Sequence, residues 1–213
     1  MLYIRWHGHA CFEIANDNIT LVTDPHDGKS IGIKPPIVKA DVVLVSHGHF
    51  DHNSTRTVEG PNTKVITECA EPCEVSGVQI RSVQSYHDDM NGEKRGINNI
   101  FLFKMDGLNF CHLGDLGHII DDDISKNLKG IDVLFIPVGN VFTINATSAW
   151  KVISKLKPII IVPMHYRVGG LSLSIKPVDD FLEQAQRIQR VGNEIDFEGE
   201  DLSDEQQVWV FSL

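Results

Sequence analysis

The first half of the chain consists of short alternating and apolar runs broken by turn residues, the pattern of strands rather than helices. Residues 5–12 form one such run leading into Ile14, and Asn16-Asp17-Asn18 turns the chain into a second run at 19–23. Residues 40–45 read as a buried strand, and further strands are expected at 64–67 and 78–83. Asp106-Gly107 joins the runs 100–105 and 108–112 into a hairpin, because that dipeptide accepts the positive φ of a tight turn.

The period changes in the second half. Residues 121–128 predict a short helix whose acidic residues sit at the end the helix dipole favours. Residues 132–137 and 159–162 are buried strands, separated by a helix at 147–156 that stops before Pro158. Val178, Phe181, Leu182, Ala185, Ile188 and Val191 share one face, so residues 177–191 predict an amphipathic helix. A last strand covers 207–211. Hairpins followed by helix–strand alternation define an α+β class, with sheets covered by helices on the outside. No repeat or linker divides the sequence, so residues 1–213 are expected to form one domain.

Composition narrows the function more than the fold. The chain has 213 residues, 42% hydrophobic and 23% charged, as in ordinary globular proteins. No run approaches the ~18 apolar residues of a membrane helix, and the N-terminus lacks a signal-peptide pattern. A cytoplasmic protein with no membrane contact is expected. Four cysteines (Cys11, Cys69, Cys73 and Cys111) are too few for a disulfide framework, and all four are expected to be reduced. The net charge of -10, without a basic patch, argues against nucleic acid as partner and for a small-molecule substrate.

The densest chemistry is Ser46-His47-Gly48-His49-Phe50-Asp51-His52, directly after the strand at 40–45. Imidazole and carboxylate suit zinc, manganese or iron. His47 and His49 are two apart, so an extended backbone points both rings to one side, whereas Asp51 and His52 are adjacent and diverge. Two pairs aimed at two places suggest two metals. Three other strands each deliver a polar residue just past their apolar run, namely His87, Asp115 and His165. Ligands at several strand ends converge on one rim of a sheet.

In order and spacing, His47-Gly-His49-Phe-Asp51-His52, His87, Gly114-Asp115 and His165 resemble the metal motifs of the metallo-β-lactamase superfamily. Gly8-His9-Ala10-Cys11-Phe12, Thr23-Asp24-Pro25, Tyr86-His87-Asp88 with Arg95-Gly96, and His112-Leu-Gly-Asp115 resemble its small stand-alone metal-dependent hydrolases, a branch related to the ascorbate-6-phosphate lactonase. The resemblance spans nearly the whole chain and implies a four-layer αββα sandwich. It implies two divalent ions, zinc first with manganese or iron as alternatives. One would be held by His47, His49 and His87, the other by Asp51, His52 and His165, with Asp115 bridging. The implied activity is hydrolysis of an ester, lactone or phosphodiester bond of a small polar metabolite by a metal-bridging hydroxide, with Asp51 or Asp115 taking the proton. Ser85-Tyr-His-Asp-Asp-Met departs from the segment that surrounds the third histidine in β-lactam-hydrolysing enzymes, which argues against β-lactams. The rival readings are an iron-dependent redox enzyme of the same fold and a non-catalytic metal-binding module.

Other residues near these motifs are candidates of a second order. Arg95, Asn98 and Asn99 could bind a substrate anion or carbonyl, and Tyr86 and Tyr166 stand beside ligands where a pocket wall would be. His112 and His118 compete with His87 for its role. His7 and His9 fit a structural position and a pocket rim equally, and Asp24 fits either a turn or the orientation of a ligand histidine through its second nitrogen.

Overall fold

A computed structural model describes residues 1–203 and 205–213. The chain starts with β1 (Leu2–Gly8), whose residues alternate between buried and half-buried as a strand covered on one face requires. It pairs antiparallel with β2 (Cys11–Ala15), which pairs antiparallel with β3 (Thr20–Thr23). The continuous run expected over 5–12 is therefore broken. Gly8 (φ 97°) and His9 (φ 56°) turn left-handed, and the β1–β2 register slips between Trp6 and Gly8. Then β4 (Ala40–Leu44) and β5 (Glu59–Ile66) add to β3 in parallel.

The chain crosses to a second sheet through β6 (Cys73–Val75), β7 (Val78–Tyr86), β8 (Ile97–Met105) and β9 (Leu108–His112). From there α1 (Asp122–Asn127), β10 (Val133–Pro137), α2 (Ala146–Leu156) and β11 (Ile160–Met164) alternate. The remaining elements are α3 (Asp179–Leu182), β12 (Ile188–Arg190), β13 (Glu194–Phe197) and β14 (Gln207–Val210). The sheets run β13-β1-β2-β3-β4-β5 and β12-β14-β11-β10-β9-β8-β7-β6. Among the described residues no helix is long and apolar enough to cross a membrane.

The sequence pattern explains the layers. Phe12, Leu21, Val42 and Leu44 join the main core between the sheets, whereas their neighbours Cys11, Val22, Val43 and Val45 form a separate apolar cluster with Val58 on the opposite face. A 3-10 turn at Thr55–Thr57 leads into Val58, so a turn segment supplies part of that outer cover. The helical layer packs through α2, which buries Ala149, Val152, Ile153 and Leu156 and is capped by Asn145 accepting from the Ser148 amide at 2.9 Å. The result is the αββα sandwich.

Two expectations are corrected. The helix over 177–191 shrinks to α3: beyond Leu182, Ala185 and Val191 still pack half-buried against the core, but Ile188 between them stays 43% exposed, so the stripe is not buried as one helical face. Residues 188–190 instead pair in parallel with β14, where ladder hydrogen bonds outweigh the local helical pattern. The cysteines are not all reduced either. Cys69 and Cys73 form a disulfide with Cα atoms 6.6 Å apart, while Cys11 and Cys111 are free and buried. Strand β7 brings that pair together, since Cys69 exchanges hydrogen bonds with Ser82 and Cys73 lies opposite Ile80.

Strands β3 and β4 in one sheet, and β9, β10 and β11 in the other, run parallel within their sheets. Strand β7 shares the direction of β9, each being antiparallel to β8. The chain leaves β3, β4, β7, β9 and β11 toward Asp24, His47, His87, Asp115 and His165. Their ends meet at one rim, the usual place for a site in such sheets.

Candidate metal centre

At that rim Asp115 is the hub. Its Oδ2 lies 3.1 Å from His87 Nε2, 3.2 Å from His165 Nε2, 3.3 Å from His52 Nε2 and 3.9 Å from His47 Nε2. The candidate ligand atoms fall into groups: His47, His49 and His87 form one, and His9, Asp51, His52 and His165 another, the atoms of each lying within 4.8 Å of one another. His47 Nε2 and His49 Nδ1 are 3.0 Å apart. The expected divergence of Asp51 from His52 is not found: Asp51 Oδ2 and His52 Nε2 lie 3.6 Å apart in the same group, because residues 50–52 form a turn in place of the extended backbone that would send adjacent side chains apart. The structure thus brings together all seven residues expected from the motif.

The surroundings orient these rings. Asp24 accepts the Ser46 amide at 2.7 Å through Oδ1, and through Oδ2 both the Ser46 hydroxyl at 2.6 Å and His52 Nδ1 at 3.0 Å. The spent hydroxyl hydrogen leaves Ser46 Oγ to accept from His47 Nδ1, 2.9 Å away, which turns the free Nε2 atoms of both histidines into the cluster. Of the two roles open to Asp24, it takes the orienting one. Three residues at the site also hold a strained backbone: His9, Asp24 and His165 have φ of 56°, 39° and 54°, a region side chains other than glycine rarely adopt.

The donor set fits divalent ions. His52 Nε2, His165 Nε2 and Asp115 Oδ1 are buried without a hydrogen-bond partner, an arrangement that is costly unless a cation takes the lone pairs. Nitrogen and carboxylate ligands of this kind suit zinc, manganese and iron. The cluster opens to solvent at His49 and Phe50, both exposed. Beside it a cavity of about 320 Å³ is lined by His47, Asn53, Thr67, Glu68, Ile97 and Asn99. A larger cavity of about 820 Å³, between Arg5, His7, Lys34 and Leu213, contains none of these ligands, and its Arg5 and His7 are paired with Glu194 and Glu13.

Of the residues expected at a pocket wall, two are placed elsewhere. Tyr166 is 4% exposed, packs its ring 5.1 Å from Trp6 and donates its hydroxyl to Phe211 O, which makes it a core residue. Asn98 is fully buried and braces the hub, accepting the Asp115 amide at 2.8 Å and donating to Ser85 Oγ and Leu113 O. Asn99 lines the smaller cavity, and Tyr86 packs against His118. Arg95 lies over the Phe142 ring at 4.8 Å. His112 spends both ring nitrogens on Ala10 O and the Gly114 amide, so it does not compete with His87.

Electrostatics follow from this crowding. Burial pushes His9 and His47 down to about 3 and His26 to about 4. Burial acts on Asp115 in the opposite sense, but His165 and His52 outweigh it and hold the carboxyl well below its usual range. Burial would likewise lower His52, yet Asp115 and Asp24 raise it. In the metal-free protein the sign of the pH effect is therefore set. Histidines whose folded pKa lies below the unfolded ~6.5 bind fewer protons in the folded state, so stability falls as pH drops from ~6.5 towards the folded values. His52, protonated in both states below ~6.5, does not oppose this there. Thermal melts in chelator are expected to show a steady loss of Tm from pH ~6.5 to ~4.5, and a flat profile would contradict it.

A two-sheet sandwich gathering imidazoles and carboxylates at one rim defines a class of metal-dependent enzymes. Residues 3–165 match the β-lactamase superfamily domain, and with its metal-dependent hydrolase relatives this places the chain in the metallo-β-lactamase superfamily as a metal-dependent hydrolase. A UPF0173 metal-dependent hydrolase of Thermococcus onnurineus is 30% identical over 192 residues, covering 78% of this chain and 85% of the relative. Another, of Thermoplasma acidophilum, is 29% identical over 193 residues, covering 80% and 85%. Among solved structures, a Thermotoga maritima protein described as a Zn-dependent hydrolase of the metallo-β-lactamase superfamily superposes with a TM-score of 0.83 at 37% identity, covering 99% of this chain and 98% of that one.

Proposed function

We propose that this hydrolase works with two divalent ions, zinc first, and cleaves an ester, lactone or phosphodiester bond in a small anionic metabolite of the cytoplasm. The observation that carries the reading is Asp115 Oδ2, which stands within 3.1–3.9 Å of ring nitrogens of His47 and His87 in one ligand group and of His52 and His165 in the other. His47, His49 and His87 would hold one ion, Asp51, His52 and His165 the other, and Asp115 both. When bound, such ions lower the pKa of a coordinated water towards ~7 and polarise the scissile group. The chain's own residues do the rest. Asp24 and Ser46 hold His52 and His47 in the tautomers that point Nε2 at the ions. Asp115 Oδ1, buried without another partner, would serve with Oδ2 to hold the ions, and Asp51 at the same rim would take the proton of the attacking water.

Arg95 supports an anionic substrate. Asp88 accepts the backbone amides of Met90, Gly92, Lys94 and Arg95 at 2.8–3.0 Å, which fixes the loop directly after His87. The loop presents Arg95 half-buried on Phe142, with no carboxylate paired to it among the described residues. In a chain of net charge -10, a guanidinium left unpaired near the ligands suits a substrate carboxylate or phosphate.

The test is a panel of esters, lactones and phosphodiesters, each with and without an anionic group, after reconstitution with Zn, Mn or Fe. Turnover of an anionic member is expected, and Arg95→Ala should raise its KM ~10–100-fold while sparing neutral analogues, the worth of one charged hydrogen bond. Full metal loading without hydrolysis of any member would favour a metal-binding module.

A further inference from the structure

Most histidines outside the expected ligand set are accounted for by local partners. His26 contacts His7 O at 3.0 Å and accepts the Gly28 amide at 3.1 Å. His112 is saturated by Ala10 O and the Gly114 amide, and His7 meets Glu13 at 2.8 Å. His118 accepts the Tyr86 amide and lies 3.1 Å from Ile119 O. His9 differs, because its side-chain partner is itself a candidate ligand.

We propose that His9 is a positioning residue for the second ion: its Nε2–H donates to Asp51 Oδ2 and fixes that carboxylate for coordination. The inference rests on the two-ion reading above. The two atoms are 3.1 Å apart, and His9 is fully buried. Its ring lies 4.0 Å from that of His165 and 4.8 Å from that of His52, so it is wedged among the three residues of that half-site. The backbone holds it there. The His9 carbonyl accepts both the Trp6 indole N–H and the His165 amide, each at 3.1 Å, which ties the left-handed turn after β1 to a ligand-bearing segment of the other sheet.

A direct ligand role is less fitting. Asp51, His52, His165 and Asp115 already offer four protein ligands, and a fifth would fill the position that water and substrate need. Ligating carboxylates are commonly held by a hydrogen bond of this type, and losing such a partner weakens metal affinity ~10–100-fold. His9 would do for Asp51 what Asp24 does for His52.

The experiment is a calorimetric titration of the metal-free full chain with Zn²⁺, using a competing chelator to resolve the two sites. The wild type should take up two ions. His9→Ala should keep the first at wild-type affinity and bind the second ~10–100-fold more weakly. His9→Gln, whose amide N–H can reach Asp51, should recover most of the loss, which a merely structural role would not predict. In an Asp51→Asn background, removing His9 should cost nothing further. An unchanged second affinity in His9→Ala would overturn the proposal. A His9→Gln variant as weak as His9→Ala would overturn it too, by making the ring a direct ligand. A wild type that binds fewer than two ions would instead remove the reading on which it rests. If His9→Ala does not fold, His9→Gln and the Asp51→Asn pair decide the question.

Discussion

Asp115→Ala is expected to hold no more than one ion per chain and to lose turnover by more than ~100-fold, beyond the loss that follows removal of an outer hydrogen-bond partner. Asp115 Oδ2 lies within 3.1–3.9 Å of His47 and His87 from one ligand group and of His52 and His165 from the other. Without its negative charge, two divalent ions at neighbouring positions repel each other with nothing between them. The variant should still fold, because the Asp115 backbone amide keeps its bond to Asn98 and the change removes no apolar contact. Metal content by mass spectrometry, beside steady-state rates on whichever substrate the panel identifies, measures both effects. Two ions retained with near wild-type turnover would defeat the shared-carboxylate mechanism.

Phe12→Ala should produce the largest loss of stability, about 3–5 kcal/mol. The ring is fully buried on β2, 4.5 Å from Phe135 on β10, 5.8 Å from Phe211 and 6.1 Å from Trp6. It bridges the two sheets, and aromatic neighbours on several sides cannot collapse into the gap without moving a strand. For a chain of this length the Tm should fall on the order of 10 °C. Denaturant melts of wild type and variant in chelator isolate the core from the metal; a change below ~1 kcal/mol would mean that the site relaxes far more than close packing allows.

Much of the centre was legible because its chemistry is local. The motif from His47 to His52 carries its spacing within six residues, and a period of two separates the His47–His49 pair from the adjacent Asp51–His52 pair. Apolar runs ending in His87, Asp115 and His165 pointed to one rim because parallel strands bring like ends together. His9 was harder to read. The signal was Gly8-His9-Ala10 inside an apparent strand, and only the slipped register and left-handed turn aim the ring at Asp51. Tyr166 misled for the opposite reason: its place next to a ligand says nothing about which way the ring leaves the backbone, and the Phe211 carbonyl draws it into the core.

The sequence by itself determined most of the strands, the two helices found at 122–127 and 146–156, and the seven candidate ligands that the motif groups. Those follow from interactions within a few residues: side-chain period, caps, and the chemistry of each group. The tertiary structure decided what depends on partners distant in the chain. It drew residues 188–190 into a ladder with β14 instead of a helix and joined Cys69 to Cys73 across β7. It turned Asn98 into a brace for Asp115, and it seated His9 42 positions from the carboxylate it contacts. Each is settled by packing and hydrogen bonds that exist only once the two sheets have closed on each other.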